Sequence, residues 1–139
     1  MNEVFLPFAP TPDRDSAPYW AALARGEFQL QRCEACSSWR WPAREICNRC
    51  HSFDNRWRVA SGQGRIESWV RTHQAFANPL EAAVPYRVVQ VRLDLQSDLL
   101  LIGGWISDRE PVYGQSAELK IIEGRDGFHL PCWKPADSA

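Results

Sequence analysis

The sequence predicts a mainly β protein: a short N-terminal helix and a small metal-held ribbon, followed by a small closed β-barrel. Three observations lead there. Four of the five cysteines form two pairs, Cys33/Cys36 and Cys47/Cys50, with two residues inside each pair and ten between the pairs. Period-two alternation of apolar and polar residues dominates the chain after the second pair. Helical periodicity is confined to one short stretch that begins near Pro18.

Residues Met1 to Asp15 carry three prolines and no periodic pattern, which predicts an extended arm. Asp15 or Ser16 then caps a short helix, with Pro18 tolerated in its first turn. Tyr19, Trp20 and Leu23 give it an apolar stripe, and Gly26 stops it. A helix this short cannot bury two large rings by itself, so Tyr19 and Trp20 must pack on a neighbour or anchor a partner.

Glu27 to Arg32 alternates with Phe28 and Leu30 on one face, a strand that delivers the chain to the first cysteine pair. Two residues inside a pair let one tight turn aim both sulfurs at a point, and a second such turn completes a tetrahedron around zinc. Four sulfurs leave no open coordination position, so the metal is structural rather than hydrolytic. Iron fits the same ligands, which keeps a rubredoxin-like redox protein open as a reading. The N-terminus has no signal-peptide pattern and no apolar run reaches membrane-spanning length, so a reducing, cytoplasmic location is expected and disulfides are not. Trp39 and Trp41 lie between the pairs at alternate positions, as expected for packing of the ribbon onto its neighbour or for stacking a base.

Strands follow. Trp57 to Ala60 is a short one, Ser61 to Gly64 a turn, and Arg65 to Gln74 a long strand through Ile66, Trp69, Val70 and Thr72. Ala75 to Pro85 is a loop. Tyr86 to Leu95 points Val89, Val91, Leu93 and Leu95 inward and Gln90, Arg92 and Asp94 outward, and Gln96 to Asp98 turns the chain. The return strand, Leu99 to Ile106, contains Gly103 and Gly104, which predict a bulge or a barrel corner. Ala117 to Glu123, a turn at Gly124 to Gly127, and Phe128 to Trp133 complete a set of about five strands. A small closed barrel such as the OB-fold fits, and a short sandwich is the rival. The expected division is an arm and helix over 1–26, the ribbon over 27–56 and the barrel over 57–139.

Charge narrows the function. The net charge is −1, against the basic excess of dedicated nucleic-acid binders. Arg25 to Arg71 holds nine arginines and five acids, a local +4, while the rest of the chain sums to −5. Four thiolates on a divalent metal remove about 2 units of that local excess. Single-stranded nucleic-acid binding therefore stands as an alternative only, with Trp39, Trp41, Trp69 and Arg40 as its platform. No nucleophile elbow, phosphate-cradling glycine loop or His-Glu-x-x-His site is present in the sequence. His51 is a substitute ligand at best, and His73, His129 and Cys132 would have to carry any stand-alone acyl-CoA chemistry. No catalytic residue is assigned.

The motifs resemble a known family. Tyr19-Trp20, Gly26-Glu27-Phe28-Gln29-Leu30-Gln31-Arg32-Cys33, Trp41-Pro42, Cys47-Asn48-Arg49-Cys50, Ser61-Gly62-Gln63-Gly64-Arg65-Ile66, Pro85-Tyr86, Tyr113-Gly114-Gln115 and Pro131-Cys132-Trp133-Lys134-Pro135 are similar, in order and spacing, to DUF35 proteins. Ser37, where a glycine is common, and Asn48, where a proline is common, depart from the pattern. The resemblance implies a rubredoxin-like zinc ribbon joined to an OB-fold. It also implies a non-catalytic accessory subunit of a thiolase-like acyl-CoA enzyme, a thiolase or an aldolase, in a hetero-oligomeric complex. For coenzyme A phosphates, Arg40, Arg44, Arg49 and Lys134 are the candidate contacts.

Overall fold

The computed structural model describes residues 9–74 and 84–136. Most of the expected loop over 75–85 and of the N-terminal arm falls outside these residues.

Helix α1 spans Ala17–Ala24 and buries Tyr19, Ala22 and Leu23, the i, i+3, i+4 face of two turns. Ser16 is its N-cap residue, but its side chain does not cap the helix. The next position but one is Pro18, which has no N–H to donate, and the Tyr19 amide is taken by the Ser16 carbonyl at 3.0 Å. The Ser16 hydroxyl turns back instead and accepts from the Asp13 amide, while the Asp13 carboxylate accepts from the Ser16 amide at 2.7 Å. At the other end Gly26, at φ +81°, donates to Leu23, and Glu27 donates to Ala22. This pair of bonds is a Schellman closure, and its positive φ is the reason for a glycine.

The ribbon is a three-stranded antiparallel sheet in the order β2-β1-β3, with β1 at Gln29–Cys33, β2 at Trp39–Arg40 and β3 at Asn55–Val59. Strand β3 runs across residues 56/57, the junction expected between ribbon and barrel, because it pairs with β1 from Gln29↔Val59 to Cys33↔Asn55.

Five more strands form a closed barrel in the order β4-β5-β6-β8-β7: β4 at Gln63–Thr72, β5 at Tyr86–Leu93, β6 at Leu100–Trp105, β7 at Ser116–Glu123 and β8 at His129–Pro135. All neighbours are antiparallel except β6 and β8, and β4 closes on β7 from Gln63↔Glu118 to Arg65↔Ser116. This is the OB-type barrel that the alternating strands predict, not a sandwich. Val89, Val91 and Leu93 point inward as expected and join Ile66, Leu101, Trp105 and Trp133 in the core. That same core takes in Tyr19 and Leu23 of the helix and Leu30 of the ribbon, with Trp20, Trp39 and Trp41 packed at its margin.

The sequence predicts a bulge or a barrel corner at Gly103-Gly104; the pairing of β5 with β6 is regular there, and a register shift lies in β4 between Ile66 and Ser68. Gly103 serves close approach. A Cβ there would come within 2.6 Å of the Pro131 carbonyl and 3.0 Å of the Trp133 ring, so only glycine lets β6 lie against β8. Among the described residues no helix is long and apolar enough to cross a membrane.

Candidate metal centre

The two cysteine pairs sit on near-identical turns. After the first, Ser37 donates to the Cys33 carbonyl at 2.9 Å and Cys33 donates to Ser38 at 2.8 Å; after the second, His51 donates to Cys47 and Cys47 to Ser52, each at 2.9 Å. Ser37 and His51, the residues that follow each pair, both hold positive φ, 66° and 65°. Such a turn folds the second sulfur back beside the first. The Cys33 and Cys47 sulfurs also accept backbone N–H groups, from Cys36 at 3.5 Å and from Arg49 at 3.4 Å.

The result is four sulfurs within 4.8 Å of one another. Cys33 and Cys50 approach to 3.5 Å, and Cys36 and Cys47 to 3.7 Å. Sulfurs about 2.3 Å from a central zinc form a tetrahedron with edges of about 3.8 Å, whereas a disulfide requires about 2.05 Å. The spacing fits a metal and all four cysteines are free thiols. Cys33 and Cys47 are buried while Cys36 and Cys50 are exposed, so the centre lies at the edge of the ribbon. His51 is exposed and outside the cluster, and the structure gives it the turn rather than a ligand position.

Without a cation the sulfurs compete for charge. The Cys50 amide, the Ser38 hydroxyl and the Arg49 amide bring Cys47 down to about 5. Cys50, although the Ser52 amide favours its thiolate, is pushed up to about 12 by Cys33, by burial, and by Cys36 and Cys47. Four thiolates at this spacing repel one another, and a divalent ion removes the conflict. Ser38, buried at 7% exposure, touches two of the sulfurs, Cys36 at 3.1 Å and Cys47 at 3.6 Å. Nothing in the sequence pattern distinguishes that serine from the exposed Ser37 beside it.

The four candidate anion contacts do not converge on one site. Arg40 is 3% exposed and holds the ribbon together, donating to the Gln31 side chain at 3.0 Å and to the Arg44 carbonyl at 2.9 Å. Arg44 meets the same Gln31 through its backbone amide at 2.9 Å. Arg49 pairs with Asp98 of the β5–β6 turn at 3.0 Å, and Lys134 with Glu118 of β7 at 3.0 Å. A different basic group forms around Glu34, where Arg56 and Arg58 converge and Arg32 lies opposite Arg56 in the sheet. Hydrogen bonding from Arg58, aided by the charges of Arg58, Arg56 and Arg32, holds the Glu34 carboxyl below the usual range. The alternation of Arg56 and Arg58 along one strand was the available signal.

Cys132 is buried beside Ile122, and burial pushes its thiol up to about 11. His73 is exposed past the end of β4, and the His129 ring lies 3.3 Å from the Gly127 carbonyl of its local turn. Trp39 stacks under Arg32, 5.6 Å from ring centre to guanidinium, and Trp41 lies 4.4 Å from Tyr19. Arg32 thus covers Trp39 and Tyr19 packs against Trp41, while Trp69 is the exposed tryptophan.

Comparison with known proteins agrees with this architecture. Residues 20–56 match the ChsH2 rubredoxin-like zinc ribbon domain. The chain is similar to a probable enoyl-CoA hydratase alpha subunit of Thermomonospora curvata, with 30% identity over 91% of this chain, and it spans only 39% of that relative's length. Its fold is similar to the structure described as Ltp2-ChsH2(DUF35) aldolase, with 27% identity and a TM-score of 0.82, over 91% of this chain and 98% of that one. A DUF35-family protein of Sulfolobus solfataricus, at 13% identity and a TM-score of 0.59 over 88% and 86% of the two chains, shares the fold. A four-cysteine ribbon matched over 20–56, set on an OB-type barrel within one shared core, is what this chain has in common with the ChsH2-type ribbon and with structures described as DUF35.

Proposed function

We propose that this chain is a non-catalytic accessory subunit of an acyl-CoA enzyme complex, and that its partner is a thiolase-like catalytic subunit. Cys33, Cys36, Cys47 and Cys50 hold a structural zinc ion. The ribbon, over 27–56, and the arm and helix, over 1–26, grip the partner, while the barrel over 57–139 borders the substrate entrance. The observation that carries this reading is the likeness to the Ltp2-ChsH2(DUF35) aldolase chain over nearly the full length of both. The similar hydratase subunit supports the coarser role, an acyl-CoA enzyme subunit, independently of the partner's type.

The chemistry of these side chains favours a partner that carries catalysis. Cys132 is buried with a raised pKa, which opposes a nucleophilic role. Of the proposed phosphate contacts, Arg49 and Lys134 keep partly exposed heads and are the ones to test, while Arg40 supports the ribbon from within.

Co-expression with a thiolase-like protein of the same organism tests the proposal. The expected result is a stable complex whose turnover of a CoA thioester exceeds that of the partner alone. A chain that stays monomeric beside that protein and leaves its turnover unchanged overturns it.

A further inference from the structure

An apolar cleft lies where helix, ribbon and barrel meet, with a volume of about 280 Å³. Tyr19 and Trp20 reach it from α1 and Trp41 from the ribbon, while Val88 of β5 and Ile102 of β6 line it from the barrel. Tyr19 sets the arrangement of the rings, with Trp41 4.4 Å away and tilted by 42°, and Trp20 5.1 Å away and edge-on at 79°. Gly103 and Gly104, with Leu130 and Pro131 of β8, complete the lining, so β6 offers bare backbone there.

We infer that this cleft binds a compact, uncharged hydrocarbon ring or branched group bearing at most one polar atom. Three properties select that class. None of the nine lining residues carries a charge, so a phosphate or carboxylate would lose its hydration without gaining a partner. The volume lies just below the usual range for ligand pockets, about 300 to 1,000 Å³, which suits one or two fused rings and excludes a whole nucleotide-bearing thioester. The aromatic faces and the bare glycine backbone favour a flat or compact body over a flexible chain. The cleft stays accessible, because Ile102 at its edge is 63% exposed and continues onto the outer face of β4 and β5 at Val70, 60% exposed.

The site belongs to the isolated chain and does not need a partner. Only the identity of its natural occupant, the hydrocarbon end of an acyl group, rests on the accessory-subunit reading. The zinc-loaded chain should be titrated with α-tetralone, a neutral two-ring ketone, and followed by proton–nitrogen NMR. Saturable shifts are expected at the indole signals of Trp20 and Trp41 and at the amides of Gly103 and Gly104. Ile102→Asp, a change at an exposed position, should weaken binding at least tenfold, and Val88→Trp, which fills the cleft, should abolish it. Free coenzyme A should leave those four signals unmoved. The inference is overturned if tetralone gives no saturable shift up to its solubility, if coenzyme A shifts the same signals, or if both variants bind as the parent does. Failure here leaves the co-expression result untouched, and failure of co-expression leaves the cleft standing.

Discussion

The side chain of Gln96 acts toward Trp39 as a strand would. Its carbonyl oxygen accepts from the Trp39 amide at 2.9 Å, and its amide nitrogen donates to the Trp39 carbonyl at 2.7 Å. One residue of the β5–β6 turn thus completes the outer edge of the ribbon. Beside it, Asp98 accepts from Gln96 at 2.6 Å and from Arg49 at 3.0 Å. Gln96→Ala leaves both backbone groups of a half-buried Trp39 unpaired, at a cost of about 1 to 3 kcal/mol. Hydrogen exchange should show faster opening of ribbon amides while barrel amides keep their protection. Uniform loss across both would contradict this role.

Asp98 gives that junction a pH dependence. Hydrogen bonds from Gln96 and Arg49 lower its folded pKa below the ordinary 3.8. A lowered carboxyl contributes stability that is present above that value and lost as pH falls through the folded pKa. Asp98→Asn should therefore lower ribbon protection in neutral solution, where the carboxylate is ionised and the zinc-loaded protein keeps its metal. The effect is small, since the Arg49–Asp98 pair is half exposed.

Removing the metal should unfold the ribbon selectively. Structural zinc supplies roughly 10 to 16 kcal/mol in small ribbons, more than 30 residues of this sheet can replace. Chelation at neutral pH is expected to abolish ribbon amide protection and release one zinc ion per chain, measured by a colorimetric indicator. Acidification should release it as well, because protons displace metal from thiolates. Ser38→Ala removes a hydroxyl from beside Cys36 and Cys47 and should weaken zinc retention about tenfold.

Ser37 and His51 are strained where glycine is not. A side chain at positive φ costs about 1 to 2 kcal/mol, partly offset by the entropy that glycine loses on folding. Ser37→Gly and His51→Gly should each stabilise the zinc-bound protein by about 0.5 to 1 kcal/mol, seen as a higher melting temperature. A loss of stability at either position would show that its side chain has a role beyond the turn.

Cys132 predicts alkaline sensitivity. Its folded pKa, pushed up to about 11 by burial, exceeds the ordinary 9.0. A raised pKa contributes stability that is fully present below the unfolded value and lost as pH rises through the folded one. Stability should fall between about pH 9 and 11, by about 3 kcal/mol, and Cys132→Ala should flatten that fall. At pH 8 a thiol reagent should find Cys132 only after unfolding.

The ribbon and the barrel were legible because their signals are local. Cysteine spacing places four sulfurs through two turns, and period-two alternation at Val89, Val91 and Leu93 marks an inward face. The cap at Ser16 failed as an expectation because Pro18 removes the N–H it would bind. Gly103 reads as a bulge or a barrel corner but serves a close approach to Pro131 and Trp133, because a sequence does not separate these uses of glycine. Arg40 read as an anion contact on charge alone; its burial follows from Gln31, nine residues earlier and across the sheet. The cleft at Tyr19, Trp41 and Gly103 joins three distant segments and leaves no periodic trace.

The strand pairings also carry a kinetic consequence. Ribbon pairs join residues within about 30 positions of one another, from Gln31↔Arg40 to Gln29↔Val59, whereas barrel closure must bring Gln63 to Glu118, 55 positions apart. Long-range pairing is the slow step of folding, because loop-closure entropy is met before contacts compensate for it. Refolding in excess zinc should therefore recover cysteine–metal absorption first and the buried environment of Trp105 and Trp133 later. The metal centre is in that sense a timer: it orders the first third of the chain while the barrel is still open.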